Sequence, residues 1–233
     1  VGTGEVIDSL SLDPMTLYSR DLIEFFKDTP RWKLEFKTKS DHVDQFLDLG
    51  PAPNVIVSWS INPQFIVASE ELGTASLHQR LVAAQKCLTA GFQIALHIDP
   101  VIWHPNWEEN YSELVDQITS QFNPQDLPYI SLGALRFQPE QRHLMRERFS
   151  PKSWVVRSEM FTSSDGKLRY DRSLRQNMFN FIISRFKQHN KQWNIFLCME
   201  SPETWLKTYE QLPKKVDGLN ELFDHSVTKA FTT

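Results

Sequence analysis

The sequence has 233 residues, of which 40% are hydrophobic, 12% aromatic and 23% charged, the composition of one large globular domain rather than of a disordered, collagen-like or low-complexity chain. Lys and Arg number 25 against 29 Asp and Glu, a net charge of −4, so general nucleic-acid binding by phosphate neutralisation is disfavoured and any such contact needs a local basic patch. No apolar run approaches the roughly 20 residues of a membrane span, no signal peptide opens the chain, and the two cysteines, Cys87 and Cys198, are far apart; a cytoplasmic protein with no membrane contact is expected.

The chain opens Val-Gly-Thr-Gly-Glu, which reads as a strand end entering a turn, and it has no initiating Met. The expectation is a fragment that has lost an N-terminal part. A helix is predicted over 16–27, with Leu17, Leu22, Phe25 and Phe26 near one face and Pro14 just ahead. A strand is predicted over 32–38, where Trp32, Leu34 and Phe36 alternate with polar residues. A short helix over about 43–49 follows, stopped by Gly50-Pro51. The apolar, β-branched run 55–61 reads as a strand buried on both faces of a parallel sheet. The clearest helix covers 74–90: Thr74 or Ser76 caps it, Leu77, Leu81, Ala84 and Leu88 share a face, and Gly91 suits the C′ position. Strands over 92–98, 129–135 and 193–199 alternate with helices over 107–122 and 171–189, the last turning Leu174, Met178, Phe181, Ile182 and Phe186 inward. Strands and helices alternating in this way imply βαβ units and a parallel α/β sheet. Ligands of such sheets bind at the carboxyl ends of the strands.

Four strand ends carry polar residues. Gly2, Gly4 and Glu5 let backbone approach a ligand and offer a carboxylate to an ammonium group, or form an ordinary tight turn. Lys37 and Lys39 meet a ligand carboxylate or are solvated. Ser60 and Asn62 leave the same face of their strand, toward a ribose or carboxylate; Asn62 before Pro63 equally suits a local turn. His97 and Asp99 form an H-x-D pair that reads as a metal-ligand pair, with His104 and Glu108 beyond it, or as a pair that holds a loop. Arg142, Arg146 and Arg148 read as a solvated helix face. Lys167, Arg169, Arg172 and Arg175, interleaved with Tyr170, suit a phosphate and a stacked base, or are solvated. Cys87 and Cys198 read as core residues.

The stretch from Trp59 to Trp107 contains a Ser-Ile-Asn-Pro strand end, a Gly-Thr-Ala-Ser-Leu-x-x-Arg helix start ending at Arg80, an Ala-Gly-Phe turn, and His97-Ile98-Asp99-Pro100 leading into Trp107-Glu108-Glu109-Asn110-Tyr111. Before it, Phe36 to Lys39 precedes His42-Val43-Asp44; after it come Ser131-Leu132-Gly133 and Cys198-Met199-Glu200-Ser201-Pro202. In this order the motifs resemble the spore photoproduct lyase-like, DNA repair photolyase-like family of radical S-adenosylmethionine (SAM) proteins, over roughly residues 1–205. The resemblance implies a partial (β/α) barrel of the radical SAM type over 1–205, with an uncertain C-terminal extension over 206–233. It implies a [4Fe–4S] cluster, SAM, a 5′-deoxyadenosyl radical, a small-molecule or nucleotide substrate or a DNA lesion, and a reductant protein such as flavodoxin or ferredoxin. It suggests Gly2, Gly4, Glu5, Lys39, Ser60, Asn62, His97 and Asp99 as SAM contacts, and Arg169 and Tyr170 are expected on the substrate. The family's Cys-x-x-x-Cys-x-x-Cys motif is absent. It is expected to precede this sequence, and the chain alone is expected to be inactive. The family's hydrogen-donor cysteine is replaced near Glu5, which points to a substrate other than the thymine dimer. The rival readings are a metal-dependent barrel hydrolase built on His97, Asp99 and His104, and a binding module with a degenerate barrel.

Overall fold

The computed structural model describes residues 1–4 and 7–210. Six strands form one parallel sheet: β1 (Gly2–Thr3), β2 (Leu34–Thr38), β3 (Ala52–Ser60), β4 (Phe92–Val101), β5 (Ile130–Ala134) and β9 (Ile195–Leu197), in the spatial order β1-β2-β3-β4-β5-β9. Each new strand therefore lands beside the one before it. The outward-facing residues are almost all apolar and fully buried, among them Leu34, Phe36, Val55, Val57, Trp59, Ile94, Leu96, Ile98, Ile130 and Leu132. Burial of this face beneath the helices is the main driving force of the fold, about 1.5–3 kcal/mol for each large side chain.

The sheet curls without closing. β2 and β5 stand three positions apart in it, about 14 Å along a flat sheet, yet Glu35 on β2 accepts a 2.7 Å hydrogen bond from the hydroxyl of Tyr129, just before β5. Only an inward-curved sheet brings those side chains together, and the architecture is the α/β partial barrel expected from the sequence.

The covering helices are α1 (Asp13–Thr16), α2 (Tyr18–Lys27), α3 (Gln64–Glu70), α4 (Leu77–Thr89), α5 (Trp107–Gln121), α6 (Pro139–Arg148), α7 (Trp154–Arg157), α8 (Arg172–His189) and α9 (Pro202–Tyr209). Helix α4 starts with a capping box: Ser76 Oγ accepts from the Gln79 N–H at 3.3 Å, and Gln79 Oε1 accepts from the Ser76 N–H at 2.9 Å. Thr74 stays outside the helix and donates to the Glu71 carbonyl.

Several expectations need correction. The helix expected over 16–27 is broken at Leu17, whose φ is 52°. The buried Asp13 carboxylate spans the break, accepting from the Ser19 N–H at 3.0 Å and from Ser19 Oγ at 2.5 Å. The break rotates α2 so that Ser19, Ile23 and Phe26 are buried, while Leu17 and Phe25 are 47% and 62% exposed. The helix expected over 43–49 is a single 3-10 turn, Leu47–Leu49. In α8, Phe179 and Ile183 join Met178, Ile182 and Phe186 in the core, and Leu174 and Phe181 are only partly buried.

A second, antiparallel sheet was not anticipated. It consists of β6 (Arg136–Phe137), β8 (Leu168–Arg169) and β7 (Phe161–Thr162), in the order β6-β8-β7. Helix α9 runs across residue 205, and 211–233 of the expected C-terminal extension lie outside the described residues. Among the described residues no helix is long and apolar enough to cross a membrane.

Candidate functional site

Strand alternation sends every second side chain to the concave face. That face is graded from floor to mouth. Ile56, Ala95 and Tyr129 are buried at the floor with Phe196 packed against them. The next layer is polar. Glu35 Oε1 lies 2.9 Å from His97 Nε2 and accepts the 2.7 Å Tyr129 hydrogen bond. Burial alone raises the Glu35 pKa, but the hydrogen bond and charge of His97, with hydrogen bonds from Tyr129 and Ser58, outweigh it and hold the carboxyl at about 2.

The mouth layer centres on Asp99. Arg136, just past β5, grips its carboxylate at 2.8 and 3.1 Å, a bidentate pair. Burial raises the Asp99 pKa, but the Arg136 hydrogen bonds and charge and the charge of Lys37 bring it below the ordinary carboxylate value. Arg136 Nη2 also lies 3.8 Å from Cys198 Sγ, at the end of β9. Burial and the Asp99 carboxylate raise the Cys198 thiol pKa. Gly133 makes room for this arrangement: a Cβ there would lie 2.8 Å from Asp99 Oδ1.

A third polar group lies beside the ends of β2 and β3. Lys39 Nζ is 3.0 Å from Glu71 Oε1, and Asn62 Nδ2 donates to the same oxygen at 3.0 Å. Arg80 Nη1 is 2.7 Å from Glu71 Oε2, although its hydrogen bond goes to the Ser60 carbonyl at 2.8 Å. Because Glu71 Oε2 has no hydrogen-bond partner among the described residues, this contact is electrostatic rather than an aligned hydrogen bond. Burial raises the Glu71 pKa, but the charges of Lys39 and Arg80 and hydrogen bonds from Asn62 and Lys39 lower it overall. Asn62 Oδ1 accepts from the Tyr111 hydroxyl at 3.1 Å. Both ends of the Asn62 amide are thus used inside the protein, and the residue is 1% exposed.

The residues singled out from the sequence therefore fall into distinct places. Gly2 stands opposite Glu35 in β1. Gly4, with φ at 93°, passes so close to β2 that a Cβ would lie 2.2 Å from the Lys37 carbonyl oxygen. Glu5 lies outside the described residues. Lys39, Ser60 and Asn62 gather around Glu71 and Arg80, and His97 and Asp99 stand one above the other inside the sheet. Arg169 lies on the second sheet: its side chain is 6% exposed, Nη2 meets Asp165 at 2.7 Å, and Nη1 is 3.9 Å from Glu200 with no hydrogen bond among the described residues. It lines a cavity of about 440 Å³ with Ser163, Ser164, Arg172, Arg175 and Glu200. Tyr170 is 1% exposed and its hydroxyl oxygen accepts the Trp103 N–H, so its ring offers no open face to a base. Arg142 and Arg146 are not merely solvated, since both donate to the Val156 carbonyl.

The metal-pair reading finds no support in the geometry. His104 Nδ1 meets the Ile102 carbonyl and Nε2 pairs with Asn110; Glu108 is exposed on α5. The Asp99 oxygens are occupied by a guanidinium, and among the described residues no group of three His, Cys, Asp or Glu side chains is arranged to hold an ion. Nor do these residues make an iron–sulfur site: the sequence has two cysteines, and Cys87 is buried far from the strand ends, within α4. The strand ends do suit a zwitterionic nucleoside such as SAM. They combine the partly exposed Lys39 ammonium, held by Glu71, with the Ser60 hydroxyl.

Glu35, Glu71, Tyr129 and Arg136 are not singled out by the sequence, and Arg80 enters there only as the last residue of the helix-start motif. The available signal was parity: Glu35 and Lys37 occupy the polar positions of β2, which an inward-curved sheet encloses rather than exposes.

Comparison with known proteins gives a consistent picture. The family model described as spore photoproduct lyase matches residues 4–193. Spore photoproduct lyase of Geobacillus sp. (strain Y412MC61) is 30% identical over 148 residues, 63% of this chain and 43% of that protein. The Bacillus subtilis (strain 168) enzyme is 32% identical over 120 residues, 52% of this chain and 35% of that protein. The matches thus span less than half the length of these curated relatives. A solved cysteine-to-alanine mutant of spore photoproduct lyase superposes with a TM-score of 0.75 at 24% identity, covering 84% of this chain and 60% of that one. A double mutant solved with bound AdoMet and dinucleoside spore photoproduct superposes with a TM-score of 0.74, at the same identity and coverage. With the family model matched across most of its length, the chain belongs to the spore photoproduct lyase family.

Proposed function

We propose that this chain forms the SAM- and substrate-binding part of a radical SAM lyase that acts on a nucleotide or a DNA lesion. The observation that carries the reading is the pair of polar strand ends, Lys39 and Ser60, on a chain of this family. The chemistry SAM brings is reductive cleavage to a 5′-deoxyadenosyl radical, which removes hydrogen from carbon. In this reading Lys39 faces the SAM carboxylate and the Ser60 hydroxyl a ribose or carboxylate oxygen. Gly2 and Gly4 bring the β1 strand end toward its ammonium group, and the Glu5 carboxylate is its acceptor on the family resemblance alone. Asn62 acts through Glu71, which holds the Lys39 ammonium in place. Arg169 receives an anionic part of the substrate in the cavity beside the second sheet. A [4Fe–4S] cluster needs thiolates from outside these 233 residues. A one-electron donor such as flavodoxin or ferredoxin, in a cytoplasmic setting, completes the system.

The test is an anaerobic titration of the intact protein with SAM, together with an assay for 5′-deoxyadenosine. Lys39→Ala and Ser60→Ala each weaken SAM binding about tenfold, ~1.4 kcal/mol. Unchanged titrations in both variants remove these residues from the site. SAM binding without 5′-deoxyadenosine under reducing conditions would instead favour a binding module.

A further inference from the structure

The polar layer below the mouth has a geometry that SAM contact alone does not require. An ionised carboxylate only accepts hydrogen bonds, so Glu35 Oε1, 2.9 Å from His97 Nε2, fixes the proton of the neutral imidazole on Nε2. The lone pair is then on Nδ1. That atom makes no hydrogen bond to any described residue, and it is not among the polar atoms both buried and unpartnered. Tyr129 fixes the other side of the arrangement: its hydroxyl donates to the same Glu35 oxygen, and its ring packs edge-on to His97 with centroids 5.9 Å apart. The imidazole is thereby held in one tautomer and orientation, two residues below Asp99 on the concave face.

We propose that His97 is a proton-accepting residue of the strand-end site, aimed by Glu35 and Tyr129 at an exchangeable O–H or N–H of a bound nucleoside-type ligand. The inference rests on the strand ends being the ligand site. In the step, the ligand O–H or N–H bond breaks, its electron pair stays on the ligand, and a proton bonds to His97 Nδ1. The resulting imidazolium is balanced by Glu35, which remains ionised, and the proton returns by the same route. A carboxylate behind an imidazole serves proton transfer in this way by stabilising the charged ring without taking the proton itself. The charges around the ring favour this assignment. Glu35 and Lys37 face it from β2 and Asp99 from β4, while β3 and β5 present only Ser58, Ser60 and Ser131. Arg136 neutralises Asp99, which leaves Glu35 as the carboxylate that governs His97.

The decisive experiment is ¹⁵N-imidazole NMR of the intact protein, with His97→Gln used for assignment. The neutral ring of His97 is expected as the Nε2–H tautomer. Glu35→Gln lets the Nδ1–H tautomer appear, because the amide no longer requires a proton on Nε2, and Tyr129→Phe keeps the Nε2–H tautomer. Adding SAM with dinucleoside spore photoproduct moves the Nδ1 resonance. In turnover, His97→Gln lowers kcat about 100-fold and removes one limb of the pH profile; Glu35→Gln displaces that limb, and serves alone if His97→Gln does not fold. An Nδ1–H tautomer in the wild type, a tautomer unchanged in Glu35→Gln, or a retained limb in His97→Gln overturns the proposal. Absence of wild-type turnover on the dinucleoside falls on the proposed substrate, and the NMR result then decides the role of His97 by itself.

Discussion

Replacing Glu71 by Gln removes one negative charge from a site where two cations converge. Lys39 stands 3.0 Å away with its side chain 32% exposed, and Arg80 stands 2.7 Å away at 0%. Water can compensate the lysine; it cannot reach the guanidinium. Breaking a buried ion pair from one side costs about 3–5 kcal/mol, because the partner charge remains enclosed. Gln keeps the volume and one acceptor for Asn62, and Arg80 keeps its bonds to the Ser60 and Ala75 carbonyls, so the expected loss is near the lower end, about 3 kcal/mol. Against a total stability of about 5–15 kcal/mol the variant still folds. Urea unfolding followed by tryptophan fluorescence measures the difference. Its pH dependence has a definite sign. The folded-state pKa of Glu71 is depressed, so its contribution is fully present above the ordinary carboxylate pKa of about 4.3 and is lost as pH falls below it. The gap between the two proteins is widest near neutrality and narrows in acid. A loss under about 1 kcal/mol, or a gap that stays constant down to pH 3, would refute the argument that the buried carboxylate offsets the charge of Arg80.

Two further substitutions probe the framework around the site. Gly4→Ala combines a left-handed backbone position with a Cβ 2.2 Å from the Lys37 carbonyl oxygen; it is expected to cost about 2–3 kcal/mol and to lower Tm by roughly 4–10 °C, and an unchanged melt shows that β1 is not held against β2 as described. Ser76→Ala removes one half of the α4 capping box and costs about 1 kcal/mol, whereas Ser76→Asp is close to neutral in denaturant unfolding; equal effects of the two would mean that the cap hydrogen bond is not what starts the helix.

The parallel sheet was legible because both of its determinants are local. Val55 to Val57 and Ile94 to Ile98 read as buried strands, and helical periodicity with stop signals separates them. The break at Leu17 was not legible, since it depends on Asp13 reaching Ser19 rather than on any helix-breaking residue. The strands of the second sheet are two residues each, too short for an alternation to register. The site was legible in half. His97 and Asp99 stood out by type and parity, but their partners are remote in sequence: Glu35 is 62 positions from His97 and 94 from Tyr129, and Arg136 is 37 from Asp99. No local pattern encodes which distant charge a curled sheet brings inward. Tyr170 misled for the related reason that a ring among arginines looks the same in sequence whether it faces solvent or core.

Arg136 belongs to both sheets at once. Its backbone pairs with Arg169 in the antiparallel sheet, while its guanidinium closes on Asp99 at 2.8 and 3.1 Å inside the parallel one. The small sheet is therefore not an appendage free to swing on a hinge. Moving it away from the barrel mouth means parting an ion pair whose side chains are 15% and 7% exposed. The cavity beside Arg169 and the mouth above Asp99 thus keep a fixed distance from each other, and a ligand long enough to reach both meets two ends of one rigid gauge.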